Sequence, residues 1–311
     1  MSEQARQVVW NVVRFVALAF LLSAVFAILI IRGGSMATGR WLYVKGAMWS
    51  PAIAVAILRP IPQDGERWPF AGIGWHWRGG YQLLAYGTAV SASVIVYVFA
   101  WTTGLAGFPN TVALAKIARD FGWVGLPTIV IIPGYAILTA TFGLLPALPS
   151  ALGEEIGWRG YLVPELSRVC SFTTTSLVTG VIWALWHAPV ILFSDFSRGA
   201  PVWYGLVCFT VFIIASSFIC TWLRLKSDSI WPTVVLHATN NLMLADVLTP
   251  LTVQTGASRY FINEFGCLLP ALAVIGAIIC WRRRAEVEPE RASAPATTRD
   301  EVPSNAVVSI A

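Results

Sequence analysis

Three sets of side chains in this sequence combine residue types and spacings that can do acid–base chemistry. Glu154 and Glu155 stand side by side, and Arg159 follows Glu155 by four residues. On a helix, positions four apart share a face, so Glu155 and Arg159 are within ion-pair reach. Glu154 lies about 100° round the same helix and points elsewhere. One carboxylate is then held by a guanidinium while the other is left free in a cavity, an arrangement suited to a positioned base. The same residues also read as a buried ion pair that only fixes helix packing. His187 lies in VIWALWHAPVIL, one turn after Trp183, and His237 lies in PTVVLHATNNLML, one turn before Asn241. His237 and Asn241 share a face and are spaced like two donors aimed at one point. Asn240 points about 100° away and is the weaker partner. Each histidine alone also reads as a core residue bonded to a neighbouring helix.

The elements that must hold these groups are apolar. Of 311 residues, 57% are hydrophobic and 12% charged, and mean hydropathy is +0.69. Soluble domains carry about 25% charged residues, so the composition argues against one. Apolar stretches recur from Val8 to Trp281: Val8–Ile31, Trp41–Leu58, Tyr81–Gly104, Trp123–Leu148, Phe172–Phe193, Trp203–Leu223, Ile230–Leu248 and Ile262–Trp281. At about 20 residues per crossing, the expected fold is an all-α, polytopic transmembrane bundle of about eight or nine helices. The short alternating segments of a membrane barrel are absent from the sequence pattern. The five cysteines are scattered without a CxxC pair, so neither a disulfide framework nor a cysteine zinc site is expected. The basic residues form no nucleic-acid face, and many flank apolar segments as positive-inside sorting requires.

The segment Ser150–Arg168, SALGEEIGWRGYLVPELSR, breaks this pattern with five charges between apolar spans. Glu154, Glu155 and Arg159 together would cost roughly 8–10 kcal/mol at a membrane helix centre if unpaired. Intramembrane charges at such cost mark functional candidates. Glu165 and Arg168, three apart near the segment's end, read instead as a solvated interfacial pair. Heights agree with a shared site. With a turn at about Cys170–Ser171, Glu155 and His187 each lie roughly 23–25 Å from it on antiparallel helices.

On these residues the chain resembles the CAAX prenyl protease and bacteriocin-processing (CPBP or Abi) family of intramembrane proteases. Glu154-Glu155-x-x-x-Arg159, Trp183-x-x-x-His187 and His237-x-x-x-Asn241 are similar to its motifs EExxxR, FxxxH and HxxxN/D, in the same order. Trp183 stands where the family usually has Phe, a conservative aromatic change. The resemblance covers about Ser150–Leu248, a third of the chain. It implies an intramembrane endopeptidase that hydrolyses a peptide bond in a membrane-associated protein or lipidated peptide, including a prenylated CAAX-type substrate. The implied roles are Glu154 as general base, Glu155 tied to Arg159, His187 holding the water or a metal, and His237 and Asn241 stabilising an oxyanion. Such proteases are often described as metalloendopeptidases. Zinc held by Glu154, His187 and His237 and a metal-free, glutamate-driven reaction both stay open, because there is no HExxH signature.

The expected organisation is N-terminal transmembrane helices of unassigned role (1–149), a catalytic transmembrane core (150–281) and a disordered tail (282–311). Arg282, Arg283 and Arg284 favour a cytoplasmic C-terminus in a multi-pass protein of the bacterial plasma membrane. Nine spans would place the N-terminus outside. That scheme conflicts with the loop carrying Arg59, Arg67 and Arg78, and losing one span resolves the conflict. Two other classes fit the same charges: a non-catalytic immunity or partner protein on this scaffold, and a proton-coupled transporter. The transporter should show inverted repeats, and none is apparent. The expected partners are the bilayer and a membrane protein or lipidated peptide, and no nucleic acid. The sequence leaves the oligomeric state open.

Overall fold

The computed structural model describes residues 2–33, 41–59, 70 and 72–288. Half of the expected loop at 59–80, Arg67 among it, and the tail from residue 289 lie outside the described residues. The described chain is helical throughout, with a lone antiparallel bridge between Gly107 and Val253. All five cysteines are free.

The first apolar run forms α1 (Glu3–Arg32), opened by Ser2, whose hydroxyl accepts the Ala5 N–H at 3.2 Å. Next come α2 (Trp41–Leu58) and α3 (Gly79–Thr102). After α3 comes α4 (Thr111–Asp120), a short amphipathic helix capped by Asn110 that buries Leu114, Ile117 and Ala118 on one side. The fourth run does not make one helix. It divides at Gly143 into α5 (Thr128–Phe142) and α6 (Leu144–Glu155), with a bend of 43° between them.

The charged segment is not a separate element. It continues α6 through a π-helical stretch, Ile156–Leu162, into α7 (Val163–Ser167). Then follow α8 (Phe172–Phe193), α9 (Val202–Ser227) and α10 (Trp231–Leu242). A second π-helical stretch, Met243–Leu248, leads into the single turn α11 (Thr249–Leu251). The last helix is α12 (Leu268–Arg282), which starts later than the apolar run because turns and a left-handed Asn263 occupy the preceding residues.

Five described helices are long and apolar enough to cross a membrane: α1, α2, α3, α8 and α9. The bent α5–α7 unit makes six if counted as one span. The all-α bundle is as expected, but the count is below eight or nine. α10 and α12 are short because π turns and irregular loops take up parts of their apolar runs.

Helix α8 packs along α9, α1 along α2, and α10 against both α3 and α6. Close approach of α2 to α6 depends on glycine. A Cβ at Gly153 would lie 2.8 Å from the Met48 carbonyl oxygen, and one at Gly157 only 2.3 Å from the Pro51 side chain. The two glycines are four apart and bracket Glu154 and Glu155, a small-xxx-small pattern that lets membrane helices meet backbone to backbone.

Two polar ends differ from expectation. Glu165 is buried rather than solvated: it accepts Asn11 Nδ2 at 2.7 Å and pairs with Arg168, tying α7 to α1. Residues 283–288 dock on the bundle, with Glu286 bridging Arg283 and Lys226, and Glu288 accepting the Phe172 N–H at 2.8 Å.

Candidate active site

The two neighbouring carboxylates diverge as the helical geometry requires. Glu155 is fully buried and its Oε1 accepts from Arg159 at 3.0 Å and from His237 Nδ1 at 3.0 Å. Arg159 is also fully buried. It donates to Ser217 Oγ of α9 at 3.3 Å, and its guanidinium carbon stacks 4.3 Å from the Trp183 ring centre. Arg224, again from α9, donates to the Arg159 carbonyl at 3.0 Å and so supports the π-helical backbone. π-helical turns inside α-helices occur frequently at functional sites. Here the turn carries Trp158 and Arg159 into the core with no loss of backbone continuity.

Glu154 is 2% exposed and faces a cavity of about 840 Å³. It is not free of partners. Its Oε2 accepts the Trp183 indole N–H at 2.8 Å and the Trp158 indole N–H at 3.4 Å. Among the described residues no hydrogen bond ends on Oε1, which leaves that atom for a ligand or water. The donor from Trp183 changes the meaning of the sequence departure at this position. A phenylalanine has no N–H, so Trp183 adds a hydrogen bond to the carboxylate and is not a merely conservative aromatic exchange. Trp158, four residues after Glu154, was the sequence signal for the second donor.

His187 lines the same cavity, its ring against Trp186, Phe196 and Phe209. Its Nδ1 lies 3.0 Å from the Trp183 carbonyl. A carbonyl oxygen only accepts, so Nδ1 carries the proton and, in the neutral ring, Nε2 presents a lone pair. The charge of Glu154 lies near enough to act on both histidines. His237 uses Nδ1–H on Glu155, and in its charged form Nε2–H is a second donor.

Asn241 lines the cavity, and so does Asn240, which the helical spacing had set aside. The structure thus brings Glu154, His187, His237 and Asn241 to one cavity and places Glu155 and Arg159 behind them as the support of His237. Ser217 and Arg224, which hold Arg159, lie in an otherwise apolar helix and carry no motif. No local pattern pointed to them.

Among the described residues no group of three or more His, Cys, Asp and Glu side chains is arranged to hold a metal ion. Glu154 Oε2 is taken by two indoles and Glu155 by Arg159 and His237. Glu154, His187 and His237, the expected zinc set, do not form such a group.

The cavity lining from α1, α2 and α12 is largely apolar and mixes small side chains, including Ala24, Ala27, Ala47, Ala273 and Gly276, with large ones such as Phe20, Met48 and Leu272. Such a cavity, with a few convergent polar groups at one side, has the anatomy of a ligand site.

Part of the chain is similar to known proteins. Residues 136–243 match the family described as type II CAAX prenyl endopeptidase Rce1-like. All six site residues fall within that segment, so the resemblance carried by the three motifs holds there. A curated relative, CAAX prenyl protease 2 of Methanococcus maripaludis, is 33% identical over 117 residues. The matched segment is 35% of this chain and 43% of that relative's length.

Proposed function

We propose that the chain is an intramembrane endopeptidase, a multi-pass protein of a bacterial plasma membrane, acting on a membrane-associated protein or lipidated peptide. A prenylated, CAAX-type substrate is included in that class. The observation that carries the reading is the convergence of Glu154 and His187, from separate helices, on one cavity with an unbonded carboxylate oxygen and an imidazole lone pair.

A water between Glu154 Oε1 and His187 Nε2 has an acceptor for each of its protons. Glu154 takes one proton as the water oxygen bonds to the scissile carbonyl carbon. The carbonyl oxygen becomes an oxyanion, and the Asn241 amide and the Nε2–H of charged His237 are the donors placed to stabilise it. The C–N bond then breaks, and the proton held by Glu154 passes to the leaving amine. Products are one carboxylic acid and one amine, and the acid's remaining proton passes to the amine to leave a carboxylate and an ammonium. Glu155 and Arg159 act through His237 and are positioning residues. The low-polarity cavity strengthens each of these interactions relative to water.

The test is purified protein in lipid with a panel of membrane-anchored peptides, comparing wild type with Glu154→Gln, His187→Ala and His237→Ala. Cleavage by wild type, and its fall by 100-fold or more in Glu154→Gln with an unchanged melting temperature, is the expected result. Cleavage at wild-type rate in all three variants rejects the assignment. Chelator leaves the rate unchanged if Glu154 alone activates the water. Loss on chelation with recovery on adding zinc assigns that role to a metal.

A further inference from the structure

The helix ends fall on two opposite faces of the bundle, and polar contacts fix the sorting. On the first face the start of α1 meets α7 through Asn11 and Glu165, and α7 leads straight into the start of α8. The end of α12 joins them there, with Glu288 on the Phe172 N–H and Glu286 on Lys226 at the end of α9. The segment before α3 packs on the same place: the Ile230 N–H donates to the Gly74 carbonyl and Arg78 Nε to the Ser227 carbonyl. On the second face the loop after α3 bridges to the loop after α11, Gly107 with Val253. There too the turn between α8 and α9 meets the loop before α12, where Arg259 donates to the Gly199 carbonyl and Tyr204 to the Tyr260 carbonyl.

Basic side chains are divided unequally between these faces. Among the described residues, and apart from the buried Arg159, the first face carries Arg6, Arg14, Arg59, Arg78, Arg168, Arg224, Lys226, Arg282, Arg283 and Arg284. The second carries Arg32, Lys45, Lys116, Arg119, Arg198 and Arg259. Lysine and arginine near membrane-helix ends are retained on the cytoplasmic side, so ten against six makes the first face cytoplasmic. Arg59 and Arg78 then share a side with the arginine run after α12, and the conflict that nine spans raise between them disappears.

The cavity that holds the site reaches the other face. Its lining takes the second halves of α1 and α8 and the first halves of α2 and α12, and it ends at Ile31, Phe196, Arg198 and Glu264 on the second face. None of the described helix ends or loops on the first face lines it. His187 shows the same bias in depth. It lies six residues, about 9 Å of rise, from the second-face end of α8 and fifteen residues, about 22 Å, from the first-face end.

We propose that the active site opens to the extracytoplasmic side of the membrane, and that its substrates are membrane-anchored chains whose scissile segment is exposed on that side. This inference rests on the peptidase reading above and narrows its substrate class. A lipidated chain qualifies only where its modified end lies outside the cytoplasm.

Two experiments test it. In the first, Gly256→Cys on the second face and Gly80→Cys on the first are introduced singly into a chain whose five native cysteines are changed to alanine. Both glycines are exposed, with open space where a side chain begins. A membrane-impermeant maleimide added to intact cells is expected to label the Gly256→Cys variant, and to reach the Gly80→Cys variant only after permeabilisation. The reverse pattern, or equal labelling of both in intact cells, overturns the proposal. The second experiment needs no substitution in the enzyme under test. Sealed right-side-out and inverted membrane vesicles containing wild type receive an acylated peptide whose charged segment cannot cross the bilayer, with Glu154→Gln vesicles as the blank. Right-side-out vesicles should cleave it, and inverted ones only once detergent opens them. Cleavage by sealed inverted vesicles alone overturns the orientation and leaves the peptidase reading standing. Cleavage by neither, even in detergent, removes the peptidase reading and the substrate class with it, while the labelling still decides the orientation.

Discussion

The two walls of the central cavity are built on opposite rules. On the α6–α8–α10 side the charged and imidazole groups have specific partners: Glu155 bridges Arg159 and His237, Glu154 receives two indoles, and His187 is fixed to the backbone of its own helix. On the α1–α2–α12 side the lining is alanine, glycine and larger apolar side chains, with Ser23 the one polar residue among those that line it. The polar wall gains its geometry from specific partners, so single changes there leave buried groups uncompensated. The apolar wall depends on no specific polar partner, so single changes at its small positions carry little penalty.

The largest effect that would expose this contrast is on the guanidinium. Arg159→Ala strands the Glu155 carboxylate in a fully buried position, and breaking a buried pair by removing one partner costs about 3–5 kcal/mol. Denaturant or thermal unfolding in lipid measures it, and a loss below about 1 kcal/mol would show the pair to be dispensable.

Next is the helix contact behind the carboxylates. Gly157→Ala puts a methyl within 2.3 Å of Pro51, so α2 and the π turn must part, at about 1–3 kcal/mol of overpacking. Normal stability here would contradict the close approach. Trp183→Phe keeps the ring but removes one hydrogen bond to Glu154. It should lower kcat by about 10-fold, the equivalent of one hydrogen bond, with the fold intact.

The smallest effect belongs to the other wall. Ala24→Leu, at an exposed position facing the cavity, should change stability by no more than about 0.5 kcal/mol. It should nevertheless lower cleavage of substrates with long lipid chains more than of those with short ones. A collapse of the fold in that variant would erase the distinction between the walls.

Much of this was legible in the sequence for a physical reason: intramembrane charge is so costly that Glu154, Glu155 and Arg159 could only be there with partners, and the helical repeat said which face each would take. The pairing of Glu155 with Arg159 and the shared depth of the carboxylates and His187 follow from spacing alone. What spacing does not encode is backbone irregularity. Hydropathy saw one run at 123–148 and a separate charged segment, whereas the chain bends at Gly143 and then runs unbroken through a π turn to Ser167. It also treated Trp183 as an aromatic surface, since hydrophobicity is blind to where an indole N–H points. Ser217 and Arg224 reach Arg159 across 58 and 65 residues of chain, and only packing brings them there.

The central claim is that Glu154 and His187, on different helices, act on one water. A double-variant cycle tests it most directly: kcat for wild type, Glu154→Gln, His187→Gln and the two combined, with melting temperatures matched. If they serve a single activated water, the double variant is no slower than the slower single variant, as for residues that act as a unit. Losses that multiply, as for independent sites, would contradict the account.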